Sequence, residues 1–130
     1  MSEENVEVVQ DIYECWGRGD FRATADKVAP EFRWEQVHVV EPGSHVGPDA
    51  NRALRSVFEI YEDFRVEAEE YIDAGEVVVV VARARGTARG SGLDTDQRFA
   101  FAWTVRDGRP VRMEQYRTRA DALKAVGVEE

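Results

Sequence analysis

A run of five valines at positions 77–81 constrains the fold more than any other feature of this chain. Arginine follows at positions 83 and 85. Side chains alternate between the two sides of a β-strand, so the odd-numbered valines share one face with Arg83 and Arg85. That face passes from apolar to charged partway along the strand. Either the strand leaves its core and enters water, or the arginines meet a negatively charged group.

Helical patterns come early in the chain. Apolar residues spaced three and four apart, including Ile12 and Trp16, predict an N-terminal amphipathic helix that ends at Gly17. A second, shorter helix is predicted over 21–29, where Pro30 ends it. The turn-rich stretch 41–50 is predicted to be a loop, and Pro48 suits the first turn of a third helix.

Strand patterns dominate the remainder. Alternation predicts strands over 31–40, 63–73, 76–89, 95–106 and 109–119, followed by a short terminal helix over 120–127. The alternation slips near Glu69 and Glu70, which predicts a β-bulge, and Asp107-Gly108 is a strong hairpin signal. Early helices followed by antiparallel strands predict one α+β domain over 1–130. Its N-terminal helices should pack on the concave face of a curved antiparallel sheet and so form a cone.

Composition limits the classes of partner. A net charge of −9 at pH 7 disfavours binding to nucleic acid or to anionic membranes. The acidic start lacks the basic segment of a signal peptide, and the longest apolar run is too short to span a bilayer, so we expect a cytoplasmic protein. Cys15 is alone, and His38 and His45 lack further metal-binding neighbours, so we expect no metal and no cofactor.

Six segments together resemble one known family: "VEVVQDIYECWGRGDF", "APEFRWE", "HVGPDANRALRSVFE", "YIDAGEVVVVVARARGTARGSG", "RFAFAWTVRDGRPVRMEQY" and the tail "RADALKAVG". Their order and spacing resemble the SnoaL-like branch of the nuclear transport factor 2-like superfamily, whose relatives include ketosteroid isomerases and polyketide cyclases. The resemblance covers nearly the whole chain. It implies a cystatin-like roll, a fold that occurs in enzymes, in binding modules and in association domains.

The family's catalytic positions are not retained under this resemblance. The isomerase acid, base and second oxyanion donor correspond to Ile12, Gln36 and Phe101, none of which can serve as a proton donor or base near neutral pH. The functional aspartate of the cyclases corresponds to Arg117, a permanently charged guanidinium. We therefore expect neither mechanism. His38 and Glu35 remain as weak candidates for acid–base chemistry.

The resemblance also implies a pocket inside the cone. The residues that match family pocket positions are Ile12, Trp16, Trp34, Gln36, Leu54, Phe58, Val81, Arg85, Phe101, Met113, Gln115 and Arg117. Arg85 and Arg117 are expected to lie within reach of one another on neighbouring strands. There they would bind an acidic ligand group, unless carboxylates such as Glu35, Glu114 or Asp96 pair with the arginines.

These observations favour a pocket protein that binds a small apolar molecule, with an acidic group on the ligand as one option and no assigned reaction. One alternative is a non-catalytic homodimerisation or interaction domain, whose cone is filled by Trp16, Phe58 and Phe101. The other is a cyclase-like or hydratase-like enzyme that uses His38 or Glu35. A homodimer is expected through the outer sheet face, with small apolar residues at Val80, Ala82, Ala84, Ala100, Ala102 and Thr104.

Overall fold

Helices and strands of the computed structural model are described over residues 2–20, 24–36 and 43–127. Within these ranges the helices are α1 (Ser2–Gly17), α2 (Thr24–Lys27), α3 (Pro48–Glu59) and α4 (Arg119–Val126). The strands are β1 (Arg33–Gln36), β2 (Gly43–Val46), β3 (Tyr61–Ala74), β4 (Val77–Ala88), β5 (Asp94–Arg106) and β6 (Arg109–Tyr116). None of the helices in this part of the chain has the length and apolar character needed to cross a membrane.

The six strands form one curved, unclosed sheet in the order β2-β1-β6-β5-β4-β3. All neighbours are antiparallel except β1 and β6, which run parallel, so the sheet is mixed and not purely antiparallel as predicted. Part of the predicted loop 41–50 is strand β2, which pairs with β1 from Gly43 to Val46. A four-residue strand among turn-forming residues is too short to show an alternating pattern. The predicted α+β class with N-terminal helices on a curved sheet is confirmed.

Two local features of the sheet agree with the sequence. The pairing of β3 with β4 shifts register between Ala68 and Glu70, where the bulge was predicted. Asp107 and Gly108 both have positive φ angles, 53° and 76°, as a two-residue type I′ turn requires. A bulge increases the local twist of a strand, so this one contributes to the curvature of the sheet.

The face of the sheet that packs against α1 is called the inner face. The buried α1 residues Val9, Ile12, Tyr13 and Trp16 belong to the same apolar cluster as the inner-face side chains of β4 and β5. Those sheet residues are Val78, Val80, Ala82, Ala84, Phe101, Trp103 and Val105. The main core therefore lies between α1 and the middle of the sheet.

Helix α4 covers part of the opposite, outer face. Its Ala122 and Leu123 form a second buried cluster with Val79, Ala100, Ala102 and Tyr116 of the sheet. The helix is capped at both ends: the Thr118 side chain accepts a hydrogen bond from the backbone N–H of Asp121 at 3.1 Å, and Gly127 takes the left-handed conformation with φ 78°. Because α1 covers the inner face of β4 and α4 covers its outer face, apolar side chains are favoured at consecutive positions of this strand.

The predicted face assignments of β4 are wrong. Val79 and Val81 were assigned to the inner face, but the even-numbered residues Val78 and Val80 lie there. The side chains expected to form one small apolar dimer surface are divided between the two faces. Val80, Ala82 and Ala84 belong to the inner core, whereas Ala100 and Ala102 are buried in the α4 cluster. An all-valine run has no polar side from which its orientation could be inferred.

Candidate functional site

A cavity of about 150 Å³ lies on the inner face, among side chains from α1, α3, β1 and β3 to β6. Its aromatic lining residues are Trp16, Trp34, Phe58, Tyr61, Phe64, Phe99 and Phe101. Its remaining lining residues are Val66, Ala84, Thr95, Gln97, Met113 and Gln115. The cone is therefore neither wide open nor completely filled, because the aromatic side chains occupy much of it and leave a small cavity between them.

The aromatic walls of the cavity support one another. Trp16 and Phe58 meet edge to face, with ring centroids 5.4 Å apart, and Phe58 lies 5.4 Å from Phe64. Tyr61 stacks on Phe64 with centroids 4.8 Å apart. Such contacts add specific geometry to the burial of the rings. Contacts between the protein's own side chains therefore set the shape of the cavity before any ligand binds.

A second layer behind these walls is held by a buried hydrogen bond. The Trp103 indole Nε1–H donates to the Tyr13 hydroxyl oxygen at 2.9 Å, and both side chains are almost completely buried. Burial raises the pKa of Tyr13 well above its usual value, although the Trp103 hydrogen bond opposes this shift. The Tyr13 ring lies 5.1 Å from Trp16 and 6.4 Å from Phe101, so it supports two residues of the cavity lining.

The polar groups at the cavity are few and uncharged. Thr95 and Tyr61 contribute hydroxyls, Gln97 and Gln115 contribute amides, and none of the described lining residues carries a carboxylate, an ammonium or a guanidinium group. Trp34 is 3% exposed, and its indole Nε1 is buried with no acceptor among the residues described. This chemistry is suited to an apolar molecule with few polar atoms.

Six of the residues predicted for the pocket line this cavity: Trp16, Trp34, Phe58, Phe101, Met113 and Gln115. Ile12 does not line the cavity, because this α1 residue is fully buried in the core between the helix and the sheet. The side chains of Gln36 and Leu54 lie outside the described part of the structure, and so does the whole of His38. The backbone of Gln36 pairs with Gln115, one of the lining residues.

Val81, Arg85 and Arg117 are not among the lining residues, which corrects the predicted anion site. Val81 and Arg85 are on the outer face, where Arg85 forms an ion pair with Glu67. Arg117 is exposed just beyond the end of β6. Strand β5 lies between β4 and β6, so Arg85 and Arg117 are not on neighbouring strands as predicted. The predicted pairing of arginines with carboxylates is observed instead, since Arg83 Nε donates to Asp96 Oδ1 at 2.7 Å.

Glu35 lies on the other side of β1 from Trp34 and does not line the cavity. Its carboxylate accepts hydrogen bonds from Arg112 Nε at 3.2 Å and from Arg33 at 3.4 Å. Partial burial acts to raise the pKa of Glu35, but the hydrogen bonds and charges of Arg112 and Arg33 outweigh it and lower that pKa. A carboxylate held ionised by two arginines, away from the cavity, is a poor general base for chemistry there.

Several lining residues were not predicted from the sequence: Tyr61, Phe64, Val66, Ala84, Thr95, Gln97 and Phe99. A usable signal was present for three of them, because Thr95, Gln97 and Phe99 have the same parity as Phe101 on β5. Extending that face toward the start of the strand leads to the cavity. The lining residues from β3 had no such signal, since register shifts interrupt its pairing with β4.

A larger concavity of about 820 Å³ lies beside α4 and the β5–β6 hairpin. Its lining contains four arginines and four acids, Arg33, Arg106, Arg109, Arg112, Glu31, Glu76, Asp107 and Glu114, most of them exposed. This is a charged surface depression and not an enclosed apolar site. No cluster of three or more potential metal ligands is found in the described part of the chain.

Comparison with known proteins supports the resemblance noted in the sequence. The model of the SnoaL-like domain matches residues 9–113. This chain belongs to that family. No functionally curated protein matches the sequence.

Solved structures show the same fold. An NTF2-like protein of unknown function from Burkholderia pseudomallei K96243 is 25% identical with a TM-score of 0.74, and the match covers 95% of this chain and 97% of that chain. A putative SnoaL-like polyketide cyclase from Jannaschia sp. CCS1 is 24% identical with a TM-score of 0.75, covering 99% and 95%. A protein from Catenulispora acidiphila with a ketosteroid isomerase-like fold, in complex with trimethylamine, is 16% identical with a TM-score of 0.74, covering 95% and 94%.

Proposed function

We propose that this SnoaL-like domain binds a small apolar molecule that inserts one ring into the inner-face cavity. The observation that carries the proposal is the cavity of about 150 Å³, lined mainly by aromatic side chains that support one another. A protein cavity of roughly this volume is large enough for benzene. Sites for drug-sized ligands range from about 300 to 1,000 Å³, so a four-ring steroid would not fit as a whole.

Apolar residues near the cavity support this assignment. Ile60 is 54% exposed and adjoins the lining residue Tyr61, whereas Leu93 is 71% exposed and lies two residues before Thr95. The backbones of Ile60 and Leu93 accept hydrogen bonds from Arg89 and Ala88, so the two residues flank the same end of the sheet. Exposed apolar side chains at this end of the sheet would favour a ligand that extends beyond the cavity, because covering their apolar surface is favourable.

Binding is favoured over catalysis because proton-transfer groups are scarce at the site. Among the described lining residues, Tyr61 has the only ionisable side chain, and no histidine or carboxylate lines the cavity to act as a base. The isomerase and cyclase positions at Ile12, Phe101 and Arg117 supply no replacement. A bound ring would therefore leave chemically unchanged.

Self-association is a separate proposal and rests on the concavity beside α4. Four arginines and four acids line it, although the chain as a whole has a net charge of −9 at pH 7. Two copies would repel one another at most orientations, but this balanced surface allows close approach with opposite charges paired. The expected homodimer would thus use the outer side of the sheet beside α4, and not the alanines beneath the helix.

Titration of tryptophan fluorescence with ethylbenzene tests the binding proposal, because Trp16 and Trp34 line the cavity. We expect saturable binding that Ala84→Leu weakens at least tenfold, since the larger side chain would occupy cavity space. Ala120→Leu introduces the same change at an exposed position of α4 and should leave the affinity unaltered. Absence of saturable binding to the wild-type protein, or equal affinities for both variants, would contradict the proposal.

A further inference from the structure

Strand β3 directs residues of both parities to the inner face. Tyr61 is odd-numbered, whereas Phe64 and Val66 are even-numbered, and all three line the cavity. Side chains of a regular strand alternate between its two faces, so an odd and an even residue of such a strand point to opposite sides. The strand must therefore contain one extra residue between Tyr61 and Phe64.

The pairing of β3 with β4 locates this extra residue. Their register shifts between Glu62 and Arg65, and within the shift Asp63 and Phe64 together lie opposite Gly86. Two residues opposite one form a β-bulge. A shift of one residue reverses the face to which each following side chain points. Residues before and after this bulge can consequently face the cavity although they differ in parity.

Asp63 has a backbone conformation that suits the bulge. Its φ is 51°, and only one other described residue besides the glycines has a positive φ. This left-handed region is unfavourable for most residues, and above all for β-branched ones, whereas aspartate tolerates it better. The Asp63 side chain is exposed and does not line the cavity. A substitution there changes the backbone preference and leaves the lining side chains themselves unaltered.

Gly86 provides the space for the bulge. A Cβ atom on Gly86 would lie 2.8 Å from Phe64 Cδ1 and 3.1 Å from Tyr61 Cβ. The Phe64 ring therefore occupies space that a side chain at position 86 would fill. There it stacks on the Tyr61 ring with an interplanar angle of 17°, and it also contacts Phe58. The bulge and the glycine together produce this aromatic wall of the cavity.

We infer that Asp63 is a positioning residue for the cavity, because its left-handed backbone maintains the bulge that turns both Tyr61 and Phe64 inward. Without the bulge, one of the two rings would point to the outer face and the stacked wall would be lost. The inference rests on the proposed function for its binding readout. The contact between the two rings can be measured without any ligand.

Asp63→Val tests the inference, because a β-branched residue disfavours a positive φ. We expect this substitution to weaken ethylbenzene binding about fivefold or more, since a strained backbone conformation costs about 1–3 kcal/mol. Asp63→Gly accepts a positive φ and should bind within twofold of the wild-type protein. Gly75→Val is the matched control, since it places valine at a φ of 83° between β3 and β4, with nothing within 4 Å of the new Cβ. It should lower the Tm and leave the ethylbenzene affinity within twofold of wild type.

Nuclear Overhauser contacts between the rings of Tyr61 and Phe64 give a readout that needs no ligand. These contacts should be present in the wild-type protein and in Asp63→Gly, and lost in Asp63→Val. If Asp63→Val does not fold, Asp63→Ala takes its place with the same expected direction.

Three results would overturn the inference and leave the binding function intact. They are absence of the ring contacts from the wild-type protein, their persistence in Asp63→Val, and equal ethylbenzene affinities of Asp63→Val and Gly75→Val. Failure of ethylbenzene to bind the wild-type protein would instead contradict the proposed function. In that case the ring contacts alone decide the inference: their loss in Asp63→Val supports it and their persistence overturns it.

Discussion

Replacement of Tyr13 by phenylalanine tests whether the hydrogen bond behind the cavity stabilises the fold. The substitution removes a single oxygen atom and leaves the ring contacts with Trp16 and Trp103, at 5.1 and 5.8 Å, in place. The Trp103 indole Nε1–H would lose the acceptor that it now reaches at 2.9 Å. Trp103 is fully buried, so water cannot replace that acceptor without opening the core.

The expected cost follows from this stranded donor. A buried polar group that loses its partner costs about 1–3 kcal/mol. For a chain of 130 residues this corresponds to a decrease in Tm of roughly 3–15 °C. Tyr71→Phe makes the same chemical change at a half-buried ring 6.3 Å from Tyr13 and should cost less than about 0.5 kcal/mol.

The pH dependence of stability gives a second check. The pKa of Tyr13 is raised in the folded protein, so the folded state keeps this proton above about pH 10, where the unfolded chain releases it. The contribution of Tyr13 is complete below pH 10 and decreases by about 1.4 kcal/mol per pH unit above it. Urea unfolding at pH 7 to 11 should show the difference between wild type and Tyr13→Phe narrowing above pH 10. Equal stabilities of Tyr13→Phe and Tyr71→Phe at pH 7 would refute this account.

Three further predictions concern the cavity edge, assembly and catalysis. Gly86→Ala should destabilise the protein by about 1–3 kcal/mol in urea unfolding, because its Cβ would lie 2.8 Å from Phe64 Cδ1, whereas Gly17→Ala, with nothing within 4 Å, should not. Light scattering at micromolar concentration should give the mass of a dimer. The double variant Arg106→Glu, Arg109→Glu should give the mass of a monomer, because the proposed interface would lose its charge balance. A monomeric wild-type protein would exclude this interface. Steroid double-bond isomerisation should not exceed the background rate, and a measured rate that Gln36→Ala abolishes would show that the assigned positions are wrong.

Local patterns predicted the elements of this fold well. Asp107-Gly108 formed the expected hairpin, the slip near Glu70 became a bulge, and Pro48 begins α3 as its missing N–H allows. Each of these features depends on the conformational preference of one or two residues. The parallel pairing of β1 with β6 depends on residues about 80 positions apart, such as Trp34 and Met113, and no local pattern encodes it.

The site could be predicted only in part, because its location depends on which face of each strand points inward. On β5 the bulky side chains Phe99, Phe101 and Trp103 alternate with alanines, so the inner face was recognised and Phe101 was placed in the pocket. On β4 every residue from 77 to 81 is valine, so the choice of face had no physical signal. The wrong choice placed Val81 and Arg85 in the pocket and overlooked Ala84.

The change of residue type along β4 marks the limits of the helices that cover it. On the outer face, Val77 and Val79 belong to the cluster beneath α4, whereas Arg83 and Arg85 pair with Asp96 and Glu67. The arginines therefore begin where α4 no longer covers the outer face of β4. On the inner face, Val78 and Val80 give way to Ala82 and Ala84, and Ala84 lines the cavity. Each alanine leaves space that a valine would fill, so one strand produces both the solvent-exposed charges and the cavity, on opposite faces of the same segment.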